Sequence, residues 1–367
     1  MAGHTVRCVD DKSGKLMCLK SNKGTMVCVR QFAVSPPNWI DGTDYSLSLV
    51  MDKTFMEGHG YTFRSTLGQG TFGKVVKAHS THLRKLVAIK IVDTKKVNPG
   101  YKEKFLSREK EIIRSLKHPN VVRTHEIFES STGSVYVVME LCLKGDISKL
   151  ISVRGMLPEN LSCRFFKQLC LAVQYLHDMD VAHRDLKCDN LLLDKHLNLK
   201  VCDFGLSKRL TYTDGQMQLS ETYCGTSSYA APEILKNCPY NPKVSDVWSM
   251  GVVLYTMLYA SAPFSSTNIT KMVKIQMGHK IHFPRIPFIS PEAKSLIGHM
   301  LHPVVEQRIK ISDILTSSWI LTVTRVEHSE EASTSAAGSA QGGPPDRKDT
   351  VDEKVSLDAE EGPSESK

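Results

Sequence analysis

Residues 183–194 read HRDLKCDNLLLD, and residues 201–205 follow as VCDFG. These two short stretches hold Asp185, Asn190 and Asp203, the last of them 13 residues beyond Asn190. One carboxylate can orient a hydroxyl, while an amide oxygen and a second carboxylate suit magnesium, a hard cation that prefers oxygen ligands. Taken singly, each is equally well explained as a cap or a solvated surface group. Their weight comes from what flanks them.

Upstream, the runs "YTFRSTL" (61–67), "KVVKAHS" (74–80), "LVAIKIV" (86–92), "THEIFES" (124–130) and "SVYVVME" (134–140) are rich in β-branched and aromatic residues. They predict strands. One amphipathic helix is predicted among them from about Lys102 to Leu116, with Phe105, Leu106, Ile112, Ile113 and Leu116 as its apolar face. After "LKGD" (143–146) the pattern becomes mainly helical, and "VWSMGVVLYTMLYA" (247–260) reads as a buried core helix. The predicted class is α+β: a small β-rich lobe, a larger helical lobe and a ligand cleft between them.

Gly68, Gly70 and Gly73 lie in "LGQGTFGKV" between two strand-like runs. In a dinucleotide-binding fold such glycines open a helix, whereas the β-branched residues that follow here predict a hairpin lying over phosphates. Lys90 of "VAIK" comes 17 residues after Gly73, and Glu109 on the predicted helix could pair with it and hold its ammonium for phosphate.

Composition narrows the alternatives. The 367 residues are 41% hydrophobic and 23% charged, close to soluble globular averages. The net charge of +8 divides unevenly: residues 326–367 carry eleven acidic and four basic side chains, net −7, which leaves +15 on the rest. The basic excess is scattered, with no stripe interleaved by aromatics, so nucleic acid is not an expected partner. The uncharged stretch from Val247 to Thr270 is diluted by polar residues, and no membrane partner is expected. Seven of the ten cysteines lie from Cys142 to Cys238 without a C-x-x-C pair, and no signal peptide precedes them, which favours a reduced, cytoplasmic chain.

The ends differ from the centre. Residues 1–60 predict an extension of unknown role, with "TVRCV", "KLMCL" and "TMVCV" as a small β-meander and Pro36 to Gly60 as linker. Cys8, Cys18 and Cys28, ten apart, match no usual metal-ligand spacing. Residues 326–367 predict a disordered acidic tail.

G-x-G-x-x-G-x-V, V-A-I-K, H-R-D-x-x-x-x-N, D-F-G and A-P-E in this order form the protein-kinase signature, and the chain resembles a eukaryotic protein kinase over residues 61–320. Lys187 in "HRDLK" resembles the serine/threonine branch. Phrases such as "EKFLSREKEI", "YNPKVSDVW" and "IHFPR" are most similar to the testis-specific serine/threonine kinases of the calmodulin-dependent kinase group. The first 56 residues have no counterpart in that pattern.

The resemblance implies a two-lobed kinase fold, with ATP and Mg2+ as cofactors, protein substrates, an upstream activating kinase and a monomeric catalytic domain. It implies Asp185, Lys187, Lys90 and Glu109 as catalytic residues, and Asn190 and Asp203 as the metal ligands. Nucleotide would contact Leu67, Gly68, Gly70, Gly73, Val75, Ala88, Lys90, Glu140, Cys142 and Leu192, with Met139 guarding the pocket. Asp246 and Trp248 would anchor the catalytic loop, and Glu233 would pair with Arg308. Thr222 would be the activation-loop phosphosite, facing Arg184 and Lys208. Asp146, Asp189 and Thr226 would bind substrate carrying an arginine three positions before the acceptor, with Leu206 implying serine over threonine. The alternative for Asp146 is that it caps the helix "DISKLI" and never touches substrate.

Two departures stand out: Ser227 replaces the usual proline, and His125 replaces an aromatic or leucine. Cys142, Cys188, Cys202 and Cys224 map around the cleft, either as small buried side chains or as a redox switch. A catalytically silent scaffold and a nucleotide-dependent oxidoreductase are the alternative functions. Retention of Asp185 and Asp203 opposes the first, and Lys90 in place of an acidic strand end opposes the second.

Overall fold

The computed structural model describes residues 17–20, 26–29, 51–70, 73–95, 106–131 and 133–322. Near the amino terminus β1 (Met17–Lys20) and β2 (Met26–Val29) form an antiparallel hairpin in which Cys18 stands opposite Cys28. The run "TVRCV" of the expected meander, the start of the expected helix at Lys102, and the acidic tail lie outside the described residues.

The segment expected as linker is not all linker: residues 51–58 form a helix, α1. Its eight residues are too few to show a period, and it owes its place to packing. Met56 is fully buried, and Phe55 stacks on Tyr136 with ring centroids 4.9 Å apart.

The small lobe is one five-stranded antiparallel sheet in the order β3-β4-β5-β7-β6, made of β3 (Tyr61–Gly70), β4 (Gly73–Ser80), β5 (Lys85–Asp93), β6 (Thr124–Glu129) and β7 (Ser134–Glu140). Alternation along a strand sends successive side chains to opposite faces. Val76, Ala78, Val87, Ile89, Ile91, Tyr136 and Val138 accordingly form an outer apolar cluster with Met56 and Tyr61. The register Val75↔Lys90↔Val137 sets Lys90 on the opposite face. Helix α2 (Ser107–Ser115) carries Glu109, Ile112 and Ile113 as its buried residues. Gly73 is required by close approach, because a Cβ there would lie 1.8 Å from the Ile91 carbonyl oxygen.

The large lobe comprises α3 (Ile147–Arg154), α4 (Glu159–Asp178), α5 (Pro232–Leu235), α6 (Pro242–Tyr259), α7 (Ile269–Met277), α8 (Pro291–Met300) and α9 (Ile311–Leu315). Helix α6 is the buried one, with Trp248, Met250, Val252, Val253 and Leu254 inaccessible to solvent. Asn241 caps it by accepting from the N–H groups of Lys243 and Val244, and Pro242 takes the first helical position, where no N–H is needed. Short strands β8 (Val181–Ala182), β9 (Leu191–Leu193) and β10 (Leu199–Val201) frame the loop 183–190 between lobe and cleft. Among the described residues no helix is long and apolar enough to cross a membrane.

Candidate active site

Loop 183–190 owes its shape to a carboxylate 62 and 63 residues downstream of the two residues it holds. Asp246, 1% exposed on α6, accepts the backbone N–H of His183 at 2.9 Å and of Arg184 at 2.8 Å, and also pairs with His177 Nε2 at 3.0 Å. Arg184 needs this support, since its φ of 65° lies in the left-handed region that disfavours side chains with a Cβ. Trp248, two residues further along the same helix, stacks on Phe264 and lies under the Arg308 guanidinium, 5.1 Å away.

Held there, Asp185 is buried and fully engaged. Its Oδ1 accepts from the Thr226 hydroxyl at 2.9 Å, and Lys187 Nζ stands 3.1 Å from Oδ2 and donates to Thr226 Oγ1 at 3.0 Å. Asn190 donates through Nδ2 to the Asp185 carbonyl at 2.8 Å and to Oδ2 at 3.2 Å. Thr226 is brought in by Gly225, whose φ of 103° and 2.7 Å Cβ clearance to the Arg184 carbonyl oxygen admit glycine alone.

Across the cleft, Lys90 Nζ donates to Glu109 Oε1 at 2.6 Å and to Asp203 Oδ1 at 3.2 Å. Strand β5, helix α2 and the segment after β10 thus converge on one ammonium. Asn190 and Asp203 are the two expected oxygen donors, Asn190 hydrogen-bonded to Asp185 and Asp203 to Lys90. Because Asn190 spends its amide nitrogen on Asp185, Oδ1 is the atom it could offer to a metal. Among the described residues no three His, Cys, Asp or Glu side chains form a metal cage. Two hard donors without a cage fit Mg2+, which keeps most of its shell for water and phosphate oxygens.

Val75 and Ala88 lie on the face of the sheet that carries Lys90, as does Met139, which is paired with Ala88. Gly68 and Gly70 pair with Val75 and Gly73 at the tip of the hairpin, and Leu67, at a register shift, is 48% exposed. The Glu140 N–H donates to the Arg123 carbonyl at 2.9 Å, while its carboxylate is clamped by Lys200 at 2.8 and 3.0 Å. Cys142 and Leu192 are half-buried. Burial, then the nearby Glu140 charge, pushes the Cys142 thiol up to about 12, and burial pushes Cys188 to about 12 as well. Cys202 and Cys224 are also raised by burial. Four protonated thiols favour the reading as small buried side chains over the redox switch.

Glu233 and Arg308 form a two-point ion pair at 2.7 and 3.0 Å. Thr222 is half-buried, with its carbonyl held by the Tyr240 hydroxyl at 3.0 Å. Arg184 donates from Nε to the Leu206 carbonyl at 2.7 Å and from Nη1 to Ser220 Oγ at 3.2 Å, and its Nη2 makes no hydrogen bond. Lys208 has its pKa lowered by burial and then by repulsion from Arg184 and Arg108. Arg108, on α2, is a third cation of this cluster that sequence reasoning missed. Nothing in its spacing relates it to Thr222, 114 positions later.

Asp146 does cap α3, accepting the Lys149 N–H at 2.7 Å through Oδ1. Asp189 is exposed, and both carboxylates act on the Cys188 thiol between them. Ser227 keeps its turn without proline, since its carbonyl accepts the Ala230 N–H. His125 is the extra residue of a register shift in β6, with Nε2 buried and unbonded and its pKa lowered by burial and then by Lys85 and Arg123, so it is neutral at physiological pH.

Residues 61–320 match the model of the protein kinase domain family. Human testis-specific serine/threonine-protein kinase 1 is 49% identical over 270 residues, 73% of this chain and 74% of that protein. Mouse testis-specific serine/threonine-protein kinase 2 is 46% identical over 73% of this chain and 75% of its own length. CBL-interacting serine/threonine-protein kinase 26 of Arabidopsis thaliana is 41% identical over 71% of this chain and 58% of its own length. The chain therefore belongs to the protein kinase family and is an ATP-dependent serine/threonine protein kinase.

Proposed function

We propose that Asp185 receives the proton of the substrate hydroxyl while Lys90, Asn190 and Asp203 hold the phosphates of ATP and their metal. The observation that carries this assignment is the joint placement of Lys90 on Glu109 and Asp203, with Asp185 locked by Lys187 and Thr226. In the reaction the hydroxyl oxygen bonds the γ-phosphorus, the bond from that phosphorus to the bridging oxygen breaks, ADP leaves, and the proton passes to an Asp185 oxygen. Lys187 beside Asp185 offsets negative charge as it develops on the transferred group. Glu109 orients Lys90, and the glycine hairpin at Gly68, Gly70 and Gly73 covers the phosphates. Bound Mg2+ supplies neutralisation of the β- and γ-phosphate oxygens.

Three finer features belong to the same reading. A separate kinase phosphorylates Thr222, and the phosphate settles on Arg184, Lys208 and Arg108. Supporting this are the unbonded Arg184 Nη2 and the mutual repulsion of three cations, which a charge of about −1.5 to −2 relieves. Asp189 and the second oxygen of Asp146 receive an arginine three positions before the acceptor, where paired carboxylates favour a guanidinium fork over a lysine. The catalytic domain acts as a monomer in the cytoplasm.

A positional-scanning peptide library phosphorylated by the full chain tests the assignment. Arginine at that position is expected to be preferred, by about 1–2 kcal/mol over alanine. Asp146→Asn, which keeps the helix cap and removes the charge, should flatten the preference while sparing arginine-free peptides. Equal use of alanine and arginine by the unmodified enzyme refutes the pocket, and transfer by Asp185→Asn at the unmodified rate refutes the site.

A further inference from the structure

The outer face of the small-lobe sheet carries an ion pair that the phosphotransfer reaction does not use. Asp52 lies on α1, ahead of the family-matched residues 61–320, and its side chain is 6% exposed. Its Oδ1 accepts from the Tyr136 hydroxyl at 2.7 Å, and its Oδ2 stands 3.0 Å from Lys74 Nζ. A carboxylate this deeply buried is costly unless both oxygens are engaged, and here both are.

The register shows what this carboxylate ties together. Gln69, Lys74, Ile91, Tyr136 and Phe128 are successive cross-strand partners, so they form one row across all five strands. Helix α1 and the turn after it lie along that row: Asp52 bridges Lys74 and Tyr136, Phe55 stacks on Tyr136 at 4.9 Å, and His59 of the turn packs on Phe128 at 4.6 Å. The adjacent row is Gly68, Val75, Lys90 and Val137, with its side chains directed to the other face. Lys74 therefore sits between Gly73, the last glycine of the hairpin, and Val75 of the cleft face.

The start of β4 runs in close register with β5: Gly73 pairs with Val92, Lys74 pairs with Ile91, and a Cβ on Gly73 would lie 1.8 Å from the Ile91 carbonyl oxygen. The Lys74 ammonium, on the face opposite Lys90, is also in no position to reach the phosphates itself.

We infer that Asp52 is a positioning residue for nucleotide binding: through Lys74 and Tyr136 it clamps the base of the glycine hairpin from the outer face of the sheet. The inference rests on the glycine hairpin covering ATP, as proposed above. Helix α1 is in this view a working part of the kinase, and the chain that precedes the family-matched domain gains a lever on the ATP site.

Steady-state kinetics of the full-length chain with ATP and a peptide substrate, together with thermal melting, test it. Asp52→Asn keeps the shape and a hydrogen bond to Tyr136 but removes the charge that holds Lys74. The KM for ATP is expected to rise about fivefold or more, with kcat and the peptide KM within about twofold. Lys74→Gln, from the more exposed partner, should shift the KM for ATP in the same direction and supplies the reading if Asp52→Asn does not fold. The double variant should show no more than the larger single effect, because both break one link. A lowered melting temperature with an unchanged KM for ATP in both single variants overturns the inference and leaves α1 a structural cover. Lys90→Met in the same series separates the two levels: loss of turnover there with an unchanged KM for ATP in Asp52→Asn overturns the clamp alone, whereas full activity in Lys90→Met overturns the underlying site as well.

Discussion

In the small lobe Lys90 reaches carboxylates 19 and 113 residues away in the chain and keeps 24% of its side chain exposed, whereas in the large lobe Lys187 sits two residues from Asp185 and is 1% exposed. The first lysine joins three elements that meet only when the lobes and α2 are in place. The second belongs to a loop assembled on a buried helix. The small-lobe half of the site is adjustable and partly solvated, and the large-lobe half is prebuilt and dry. Damage to the first should cost turnover, and damage to the second should cost folding as well.

The largest effect that sharpens this contrast is expected at Asp246. Asp246→Ala strips the acceptor from two buried N–H groups and from His177, each unsatisfied group costing roughly 1–3 kcal/mol, so both melting temperature and turnover should collapse. A melt within experimental error of the unsubstituted protein would break the contrast.

A smaller effect is expected at Glu109. Glu109→Gln leaves Lys90 paired with Asp203 and removes the charge that anchors it to α2, so kcat should fall by about 10- to 100-fold with little change in the melt. Equal losses of stability and activity would mean that the small-lobe pair is as structural as the loop.

The mildest test concerns the thiols. A raised pKa keeps a thiol protonated, and only the thiolate alkylates, so at pH 8 a thiol at about 12 is ionised in roughly one molecule in ten thousand. Among the described cysteines, exposed Cys238 should react with iodoacetamide first, while Cys142 and Cys188 should react slowly until the chain unfolds and their pKa falls back. Peptide mapping by mass spectrometry reads the order, and early labelling of Cys188 would contradict the dry large-lobe half.

The parts of the site that could be read in the sequence are those whose chemistry demands a residue type at a set interval. Asp185, Asn190 and Asp203 are such a set, and the glycine spacing with Lys90 is another. The strands from Tyr61 to Glu140 were readable from β-branched alternation, and α6 from its long apolar run. What escaped depends on contacts between distant segments. Arg108 joins Arg184 and Lys208 only because α2 comes close to the segment that carries Lys208. His177 meets Asp246 across 69 residues, and α1 was read as linker because eight residues carry no period of their own. Asp146 had two readings in the sequence; the structure shows its cap and leaves its second oxygen to experiment.

The account stands most directly on comparing Lys90→Met with Lys187→Met, measuring phosphate transfer from labelled ATP and thermal melting on the same preparations. For Lys90→Met it predicts loss of transfer with a melting temperature within a few degrees of the unsubstituted chain, since a lysine in contact with solvent is removed. For Lys187→Met it predicts loss of transfer and a fall of roughly 10 °C, from about 3–5 kcal/mol for a buried pair deprived of one partner. Undiminished transfer by Lys90→Met, with the protein folded, would contradict the assignment of this cleft as the phosphotransfer site.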